Sequence, residues 1–245
     1  MSQVVLVTGA GQGLGQIIAA HFHQAGYRVA LSDRSLDLAQ SAVDALGGGE
    51  RLLAVKLDVK SKPDFDAALS TVLTHWGVLQ VVVNNAAMTQ ATPLMKITPD
   101  EYDEVIAINQ RGTFLSCQVF GAYMAQAGYG RIVNLASLAG QNGGTATGAH
   151  YASSKGAILT LTKIFARELA SANVTVNAIA PGPLDLPSVR ALVPPDKLDK
   201  LIENIPVRKL GNPAFVADLA LQLASPDADF ATGATWDING GIFMR

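Results

Sequence analysis

The stretch Thr8-Gly9-Ala10-Gly11-Gln12-Gly13-Leu14-Gly15, TGAGQGLG, decides the fold. It directly follows the apolar run VVLV at residues 4–7, and a segment with helical period begins at residue 13. Glycines at such a junction permit a tight turn and let backbone N–H groups and a helix N-terminus come close to a diphosphate. The stretch therefore predicts a strand, a phosphate-binding loop and a helix, in that order.

Short β-branched runs alternate with segments of helical period along the whole chain. The runs are apolar nearly throughout, as expected of parallel strands covered by helices on both faces. We predict an α/β fold, a doubly wound Rossmann-type parallel sheet of seven strands in one NAD(P)-binding domain spanning residues 1–245. The predicted strands are 4–8, 28–32, 51–57, 79–84, 131–136, 174–180 and 234–238. The predicted helices are 13–25, 36–46, 63–75, 99–127 with a break near Asn109, 150–171 and 213–224.

The bulk composition argues against several classes of function. With 18 basic and 20 acidic residues the net charge is −2, which gives no electrostatic footprint for nucleic acid or an anionic membrane. The first apolar run is short and follows no basic segment, so we expect neither a signal peptide nor a membrane anchor. Cys117 is the only cysteine, which excludes an internal disulfide and favours a reducing, cytoplasmic compartment. Histidines and carboxylates form no ligand cluster, so no metal site is predicted.

The acidic residue at the end of the second predicted strand bears on the cofactor. Asp33 can accept hydrogen bonds from the adenosine ribose hydroxyls and would repel a 2′-phosphate, which favours NAD. Arg34 keeps NADP possible, because a guanidinium beside that ribose can hold a phosphate. Gln12 is neutral and offers no second cation in the glycine loop. Asp58 and Asn84, which follow or end the next two strands, are candidates for contact with the adenine and the middle of the cofactor.

Tyr151 and Lys155, in the stretch YASSK, are four residues apart and share one face of the helix predicted at 150–171. A phenol has an ordinary pKa of about 10, too high for proton transfer at neutral pH. A nearby ammonium stabilises the phenolate, so we expect Lys155 to lower the pKa of Tyr151. Ser137 follows the fifth strand at the same sheet edge, where its hydroxyl can hold a substrate oxygen. These residues predict acid–base chemistry on a hydroxyl or ketone beside a nicotinamide.

The chain resembles the short-chain dehydrogenase/reductase family, in its shorter single-domain branch, over essentially all 245 residues. The matching segments are TGAGQGLG, LDV, NNAA, IAINQRGTF, VNLAS, YASSK, NAIAPGP and GATWDINGG, in a consistent strand and helix order. The resemblance implies an NAD(P)-dependent alcohol dehydrogenase or ketoreductase and a homotetramer. An excess of apolar residues, 49% against 16% charged, is consistent with burial between subunits.

The resemblance also implies roles for individual residues. Tyr151 would transfer the proton and Ser137 would orient the substrate. Lys155 would hold the nicotinamide ribose and lower the pKa of Tyr151, and Asn109 would support a water-linked proton path. The implied cofactor-binding residues are Gly9, Gln12, Gly13, Leu14, Gly15, Asp33, Arg34, Asp58, Val59, Asn85, Ala86, Tyr151, Lys155, Pro181, Gly182 and Leu184.

Two positions depart from the family pattern. The usual NNAG is NNAA here, so Ala87 adds a methyl group near the cofactor. Leu186 stands where a threonine commonly contacts the nicotinamide carboxamide, and leucine cannot make that hydrogen bond. Ser188, two residues later, is a possible substitute.

Residues 183–210 resemble the variable substrate lid of the family, although an amphipathic helix packed over the sheet would show the same pattern. Their apolar character predicts a small to medium, partly apolar carbonyl or alcohol substrate. The predicted substrate contacts are Ser137, Gln141, Asn142, His150 and Leu186.

Two alternative functions remain open. A 3-oxoacyl-(acyl-carrier-protein) reductase would share the fold and catalytic residues, but such enzymes usually favour NADP and dock an acidic carrier through cations. The corresponding stretches here, AQAGYG at 125–130 and LASAN at 169–173, contain no lysine or arginine. A catalytically silent nucleotide-binding relative is the second alternative, which the retention of Ser137, Tyr151 and Lys155 disfavours.

Overall fold

Seven parallel strands form one sheet in the order β3-β2-β1-β4-β5-β6-β7. The computed structural model describes residues 2–144, 147–192 and 195–245. Its strands are β1 (Val4–Thr8), β2 (Arg28–Asp33), β3 (Leu52–Lys56), β4 (Val81–Asn84), β5 (Gly130–Leu135), β6 (Val174–Pro181) and β7 (Thr235–Ile238). The predicted Rossmann-type α/β sheet is confirmed, with each strand within about two residues of its predicted bounds.

Helices cover both faces of the sheet. The α-helices are α1 (Gly13–Gln24), α2 (Leu36–Ala45), α3 (Lys62–Trp76), α4 (Pro99–Ile106), α5 (Gly112–Ala127), α6 (Ala139–Asn142), α7 (Ala149–Leu169), α8 (Pro187–Leu192), α9 (Pro195–Glu203) and α10 (Pro213–Leu223). Short 3₁₀ turns lie at Leu94–Lys96, Ala170–Ala172 and Pro226–Ala228. Among the described residues, no helix is both long enough and apolar enough to span a bilayer.

The side chains of β1 show why its sequence is apolar at every position. Val5 and Val7 belong to the core beneath α1, α2 and α10, whereas Val4 and Leu6 belong to the core beneath α3, α5 and α7. All four are fully buried. Because successive strand residues point to opposite faces, a strand covered on both sides has no position for a polar side chain.

The long helix predicted at 99–127 is interrupted where its break was expected. A π-helical turn, Ala107–Arg111, joins α4 to α5 and contains Asn109. Insertions of this kind disturb the regular hydrogen-bond ladder and are frequent at functional sites.

Three short helices were not among the predicted ones: α6, and α8 and α9 within 183–210, where an amphipathic helix was the alternative to a lid. α8 and α9 each begin at a proline, a residue well suited to the first helical turn. Val193 and Pro194, within the predicted lid 183–210, lie outside the described residues.

The crevice for a ligand follows from the strand order. β1 pairs with β2 on one side and with β4 on the other, so the chain reverses its direction across the sheet at this point. In doubly wound sheets, ligands bind outside the carboxyl ends of the strands at such a switch. The loops after β1 and β4 therefore border the expected site.

A buried chain of polar side chains fixes α7 to the centre of the sheet. The Asn84 amide donates to Asn134 Oδ1 (2.8 Å), and the Asn134 amide donates to Thr162 Oγ1 (2.9 Å). The Thr162 hydroxyl in turn donates to the Ile158 carbonyl (2.8 Å). Asn84 was expected near the cofactor, but its side chain points into the protein because it takes part in this chain. The three polar side chains are each at least 95% buried.

We predict that Thr162→Val destabilises the protein by about 1–3 kcal/mol, because the isosteric change leaves the buried Asn134 amide without this acceptor. Urea unfolding of the purified protein measures the change. The matched control is Thr71→Val, because Thr71 makes the same kind of bond to the Ala67 carbonyl (2.9 Å) from an exposed position on α3. That control should change stability by less than about 0.5 kcal/mol. Equal effects of the two substitutions would contradict a special contribution from the buried chain.

Candidate active site

A cavity of about 530 Å³ lies at the carboxyl ends of the strands. Residues that follow β1 to β6 line it, as expected for a site at the switch in strand order. The residues predicted for the site that line this cavity are Gly9, Gln12, Leu14, Gly15, Asp33, Arg34, Asp58, Val59, Asn85, Ala86, Ser137, Tyr151, Lys155, Pro181, Gly182, Leu184 and Leu186. The structure thus brings together predicted residues that are far apart in the chain.

The glycine loop presents bare backbone to this cavity. Gly9 and Gly13 have φ angles of 62° and 59°, a backbone conformation that residues other than glycine rarely adopt. A Cβ on Gly15 would lie 2.2 Å from the Gly9 carbonyl oxygen, so only glycine fits there. Gly13 shapes the start of α1, although it is not among the described residues that line the cavity.

The N-terminus of α1 is suited to an anion. Within the described part of the chain, no side chain caps this helix and its first turn contains no acidic residue. By contrast, Ser35, Ser61 and Thr98 cap the N-termini of α2, α3 and α4. Uncapped N–H groups and the positive end of the helix dipole attract a phosphate group. The loop and helix therefore fit the diphosphate of a dinucleotide.

The loops after β1 and β4 are tied together by hydrogen bonds. The Thr8 hydroxyl oxygen accepts the backbone N–H groups of Asn85 (2.9 Å) and Ala86 (3.0 Å). The Asn85 amide donates to the carbonyls of Thr8 (2.9 Å) and Gly9 (3.2 Å). Asn85 thus orders the glycine loop with its side chain, in addition to lining the cavity.

The end of the cavity predicted for adenosine is rich in charge. Asp33 accepts the N–H groups of Gly11 (3.3 Å) and Ser35 (3.2 Å), which orients its carboxylate at the cavity wall. Arg34 is exposed beside it.

Sequence reasoning missed an ion pair at this end of the cavity. Lys60 Nζ lies 2.9 Å from Glu104 Oε1, and both residues line the cavity. Lys60 is two positions after Asp58, so its position near the site could have been predicted from the sequence. Glu104 belongs to α4, and nothing in the sequence near it indicates that the fold brings it to Lys60.

The predicted catalytic residues Ser137, Tyr151 and Lys155 meet at the other end of the cavity. The Lys155 ammonium lies 5.7 Å from the centroid of the Tyr151 ring and donates to the Leu135 carbonyl at 2.6 Å. Ser137 and Thr89 line the cavity together with Tyr151, and their hydroxyls act to lower the pKa of its phenol. Thr89 lines the cavity and was not predicted as a site residue.

Burial controls the ionisation of both groups of the pair. It lowers the pKa of Lys155 to about 8. It also raises the pKa of Tyr151, although the hydrogen bonds from Ser137 and Thr89 act in the opposite direction. The expected lowering of the Tyr151 pKa by Lys155 is therefore corrected: loss of hydration outweighs the other influences on the phenol in this structure.

Asn109 is fully buried in the π-helical turn and is not among the described residues that line the cavity. Its side-chain oxygen accepts the Met88 N–H (2.7 Å). Its amide donates to the Met88 carbonyl and to the Ser154 hydroxyl, both at 3.0 Å. Asn109 therefore joins the segment after β4 to α7, and its participation in a proton path stays a prediction.

The structure places three of the predicted substrate contacts away from the lining of the cavity. His150 is fully buried and its Nε2 lies 2.9 Å from Glu101 Oε1, so its ring faces away from the cavity. The Gln141 amide donates to Asp237 (2.6 Å), and Asn142 Oδ1 accepts the Gly144 N–H (2.9 Å) in an exposed turn. Neither Gln141 nor Asn142 is among the described residues that line the cavity.

The position where a threonine was expected is apolar in the structure as well. Leu186 is 8% exposed and lines the cavity, together with Leu184 and Val189. Ser188 also lines it, which places a hydroxyl near the position of the missing threonine.

Comparison with known proteins agrees with this architecture. A family model described as enoyl-(acyl carrier protein) reductase matches residues 9–242. The 3-oxoacyl-(acyl-carrier-protein) reductase of Staphylococcus epidermidis is 35% identical over 246 aligned positions, which cover 100% of both chains. The acetoacetyl-CoA reductase of Shinella zoogloeoides is 38% identical over 246 positions, also with 100% of both chains covered.

A solved structure shows the same fold with a cofactor bound. The 3-ketoacyl-(acyl-carrier-protein) reductase of Brucella melitensis complexed with NADH has a TM-score of 0.89 to this chain at 30% identity, with 99% of this chain and 98% of that chain covered. The whole-length match and the shared fold confirm the resemblance inferred from the motifs. The chain belongs to the short-chain dehydrogenase/reductase family of oxidoreductases.

Proposed function

We propose that this protein interconverts a secondary alcohol and a ketone with a nicotinamide dinucleotide as partner. The observation that carries the proposal is the meeting of Ser137, Tyr151 and Lys155 in the cavity whose other end is formed by the glycine loop. When bound, the dinucleotide supplies or accepts the hydride. The side chains of this protein supply the proton and hold the substrate oxygen.

In the direction of reduction, the Tyr151 phenol donates its proton to the ketone oxygen as that oxygen becomes a hydroxyl. The Ser137 hydroxyl holds the same oxygen by a hydrogen bond. Lys155 stabilises the resulting phenolate by its positive charge, since its ammonium lies close to the Tyr151 ring. In the direction of oxidation the phenolate takes the proton from the alcohol. Both directions use the same three side chains.

We propose NAD as the preferred cofactor. The Asp33 carboxylate supports this choice, because it would repel a 2′-phosphate and accept the ribose hydroxyls. Lys60 is a second cation at this end, but its charge is compensated by Glu104. Arg34 alone favours NADP. The NADH complex of the Brucella melitensis relative shows that a close structural neighbour binds the unphosphorylated dinucleotide.

For the substrate we propose a small to medium, partly apolar carbonyl or alcohol compound. Leu184, Leu186 and Val189, from the proposed lid 183–210, provide an apolar wall beside the proposed nicotinamide end. The second candidate is a 3-oxoacyl thioester, which the names of the Staphylococcus epidermidis and Shinella zoogloeoides relatives favour. The stretches 125–130 and 169–173, which lack lysine and arginine, argue against docking of an acidic carrier protein.

We also propose that the protein is cytoplasmic and forms a homotetramer. Exposed apolar side chains on α5 and α7 support assembly: Phe114 is 38% exposed and Ile164 is 53% exposed. Phe114 packs against Phe165, with 5.8 Å between their ring centroids, which joins the two helices into one apolar surface.

The central test is the activity of Tyr151→Phe. Wild-type protein is expected to oxidise NADH with acetoacetyl-CoA or with simple aliphatic ketones, and the ratio of their kcat/KM values decides between the two substrate classes. Tyr151→Phe keeps the ring and removes the transferred proton, so we expect kcat to fall by at least about 100-fold. Tyr123→Phe, on α5, is the control and should retain wild-type kcat. A Tyr151→Phe protein that turns over at the wild-type rate would exclude this mechanism.

Cofactor choice is tested by Asp33→Ala. Removing the carboxylate should raise the ratio of kcat/KM for NADPH to that for NADH by about 10-fold or more, about 1.4 kcal/mol. Adding Glu104→Gln should raise this ratio further, because Lys60 then keeps an uncompensated charge. Asp37→Ala, an exposed acid in the first turn of α2, is the control. An unchanged ratio in Asp33→Ala would refute the assigned role of this carboxylate.

The burial of Lys155 predicts how the free energy of unfolding depends on pH. The pKa of Lys155 is about 8 in the folded protein, below its ordinary value, so its charge opposes folding fully below pH 8. That penalty, about 3 kcal/mol at most, disappears as the pH rises from about 8 to 10.5. We expect Lys155→Met to be more stable than wild type near pH 7 and to lose this advantage progressively as the pH rises toward 10.5, as measured by urea unfolding without cofactor.

The control for this experiment is Lys163→Met on the exposed side of α7. It should follow the wild-type pH dependence throughout. If the stability difference between wild type and Lys155→Met were the same at every pH, burial of the charged ammonium would not be its cause.

A further inference from the structure

The first turn of α7 is capped in an unusual way. Its N-cap residue is Gly148, which has no side chain to accept an N–H group. Instead, the Nδ1 atom of His150 accepts the backbone N–H of Tyr151 at 3.0 Å. A Cβ on Gly148 would lie 2.2 Å from His150 Cε1, so the histidine ring occupies the space that an N-cap side chain would need. His150 therefore satisfies the backbone of the proposed catalytic tyrosine directly.

The opposite side of the His150 ring faces a carboxylate. Because Nδ1 accepts the Tyr151 N–H, Nε2 carries the proton and donates it to Glu101 Oε1 at 2.9 Å. The same carboxylate oxygen accepts the Thr92 hydroxyl at 2.5 Å. The ring of Tyr102 stacks on His150, with 6.4 Å between ring centroids. These contacts leave the fully buried histidine a single orientation.

Glu101 also fixes the segment 88–92, which passes beside the Tyr151 side chain. The Thr92 hydroxyl bond holds one end of this segment, and the Gln90 carbonyl accepts the Gly148 N–H at 2.7 Å. Thr89, within this segment, lines the cavity together with Tyr151, and its hydroxyl acts to lower the pKa of the phenol. Glu101 therefore bonds both the histidine that holds the Tyr151 backbone nitrogen and the segment that lines the cavity beside the Tyr151 side chain.

We propose that Glu101 and His150 are positioning residues for Tyr151: they fix the first turn of α7 and the segment 88–92, and so hold the phenol between Ser137 and Thr89. The proposal rests on the proposed function, in which Tyr151 transfers the proton. It gives a role to a buried histidine and a partly buried carboxylate that the mechanism itself does not use. Outer groups that orient a reacting side chain commonly matter for rate as well as for stability.

The experiment compares variants of Glu101 in the full-length protein. Glu101→Leu removes the acceptor for both His150 and Thr92, and we expect kcat to fall by about 10- to 100-fold. The KM for NADH should stay within about two-fold, because the glycine loop and Asp33 lie at the opposite end of the cavity. Glu101→Gln keeps an acceptor oxygen and should retain at least about half of the wild-type kcat. Asp103→Leu, an exposed position on the same helix, is the matched control.

Two further measurements separate positioning from a general structural role. In a Tyr151→Phe background, Glu101→Leu should lower the residual rate by less than two-fold, because its effect acts through the phenol. If Glu101→Leu does not fold, Thr92→Val removes one bond to the same carboxylate and should lower kcat by about three- to ten-fold with KM for NADH unchanged.

The outcomes are distinct. Unchanged kcat in Glu101→Leu, or in Thr92→Val where that variant is needed, would overturn the positioning role. An equal rise in KM for NADH, or a full further loss in the Tyr151→Phe background, would overturn it as well, because either result indicates general damage to the fold. Wild-type activity of Tyr151→Phe itself would instead refute the proposed function.

Discussion

The backbone of the glycine loop lies so close to the loop after β4 that no side chain fits between them, and the site depends on this contact. A Cβ on Gly9 would lie 2.9 Å from Ala86 Cα, and one on Gly15 would meet the Gly9 carbonyl oxygen and the Asn85 amide. Thr8 and Asn85 add four hydrogen bonds across the same contact. The close packing leaves the N-terminus of α1 open toward the cavity, where a diphosphate can bind backbone N–H groups.

The opposite end of the cavity is built by helix α7, which is attached to β5 at two levels and to α4 at a third. Near the middle of the helix, the Thr162 hydroxyl accepts the Asn134 amide of β5. About two turns earlier, the Lys155 ammonium donates to the Leu135 carbonyl. At its first turn His150 bonds Glu101 of α4. Each attachment is polar and at least partly buried, so each has a preferred geometry that apolar packing alone would not impose. The helix therefore holds Tyr151 at a defined distance from the strands.

Local chemistry explains which features could be predicted from the sequence. Features set by residues close together in the chain could be predicted. They are the apolar runs of the strands, the glycines before α1 and the four-residue spacing of Tyr151 and Lys155. The side-chain directions of Asn84 and His150 do not: each is set by a partner that the fold brings from a distant segment, Asn134 and Glu101 respectively. Being next to a site residue in the sequence was therefore a poor guide to facing the cavity.

The pairing of Lys60 with Glu104 could not be predicted from the sequence for the same reason, since the loop after β3 and helix α4 are brought together only by the fold. The direction of the Tyr151 pKa shift was predicted wrongly for a different reason. A Tyr/Lys pair at helical spacing indicates an attraction between ammonium and phenolate, but the spacing contains no information on how much water the fold removes. In the structure, loss of hydration governs both groups.

This ionisation has a consequence for the direction of the proposed reaction. Burial raises the pKa of Tyr151, so the phenol carries its proton at neutral pH, which is the form that donates to a ketone oxygen. Oxidation of an alcohol needs the phenolate, and the population of phenolate increases with pH. A Lys155 pKa of about 8 keeps the ammonium largely charged at neutral pH, where it can stabilise the phenolate that reduction leaves behind. Near neutrality, therefore, the phenol is protonated and the ammonium is charged, which are the forms that the proposed ketone reduction uses. In alkaline solution Lys155 loses its charge, so its stabilisation of the phenolate weakens as the phenolate becomes more populated.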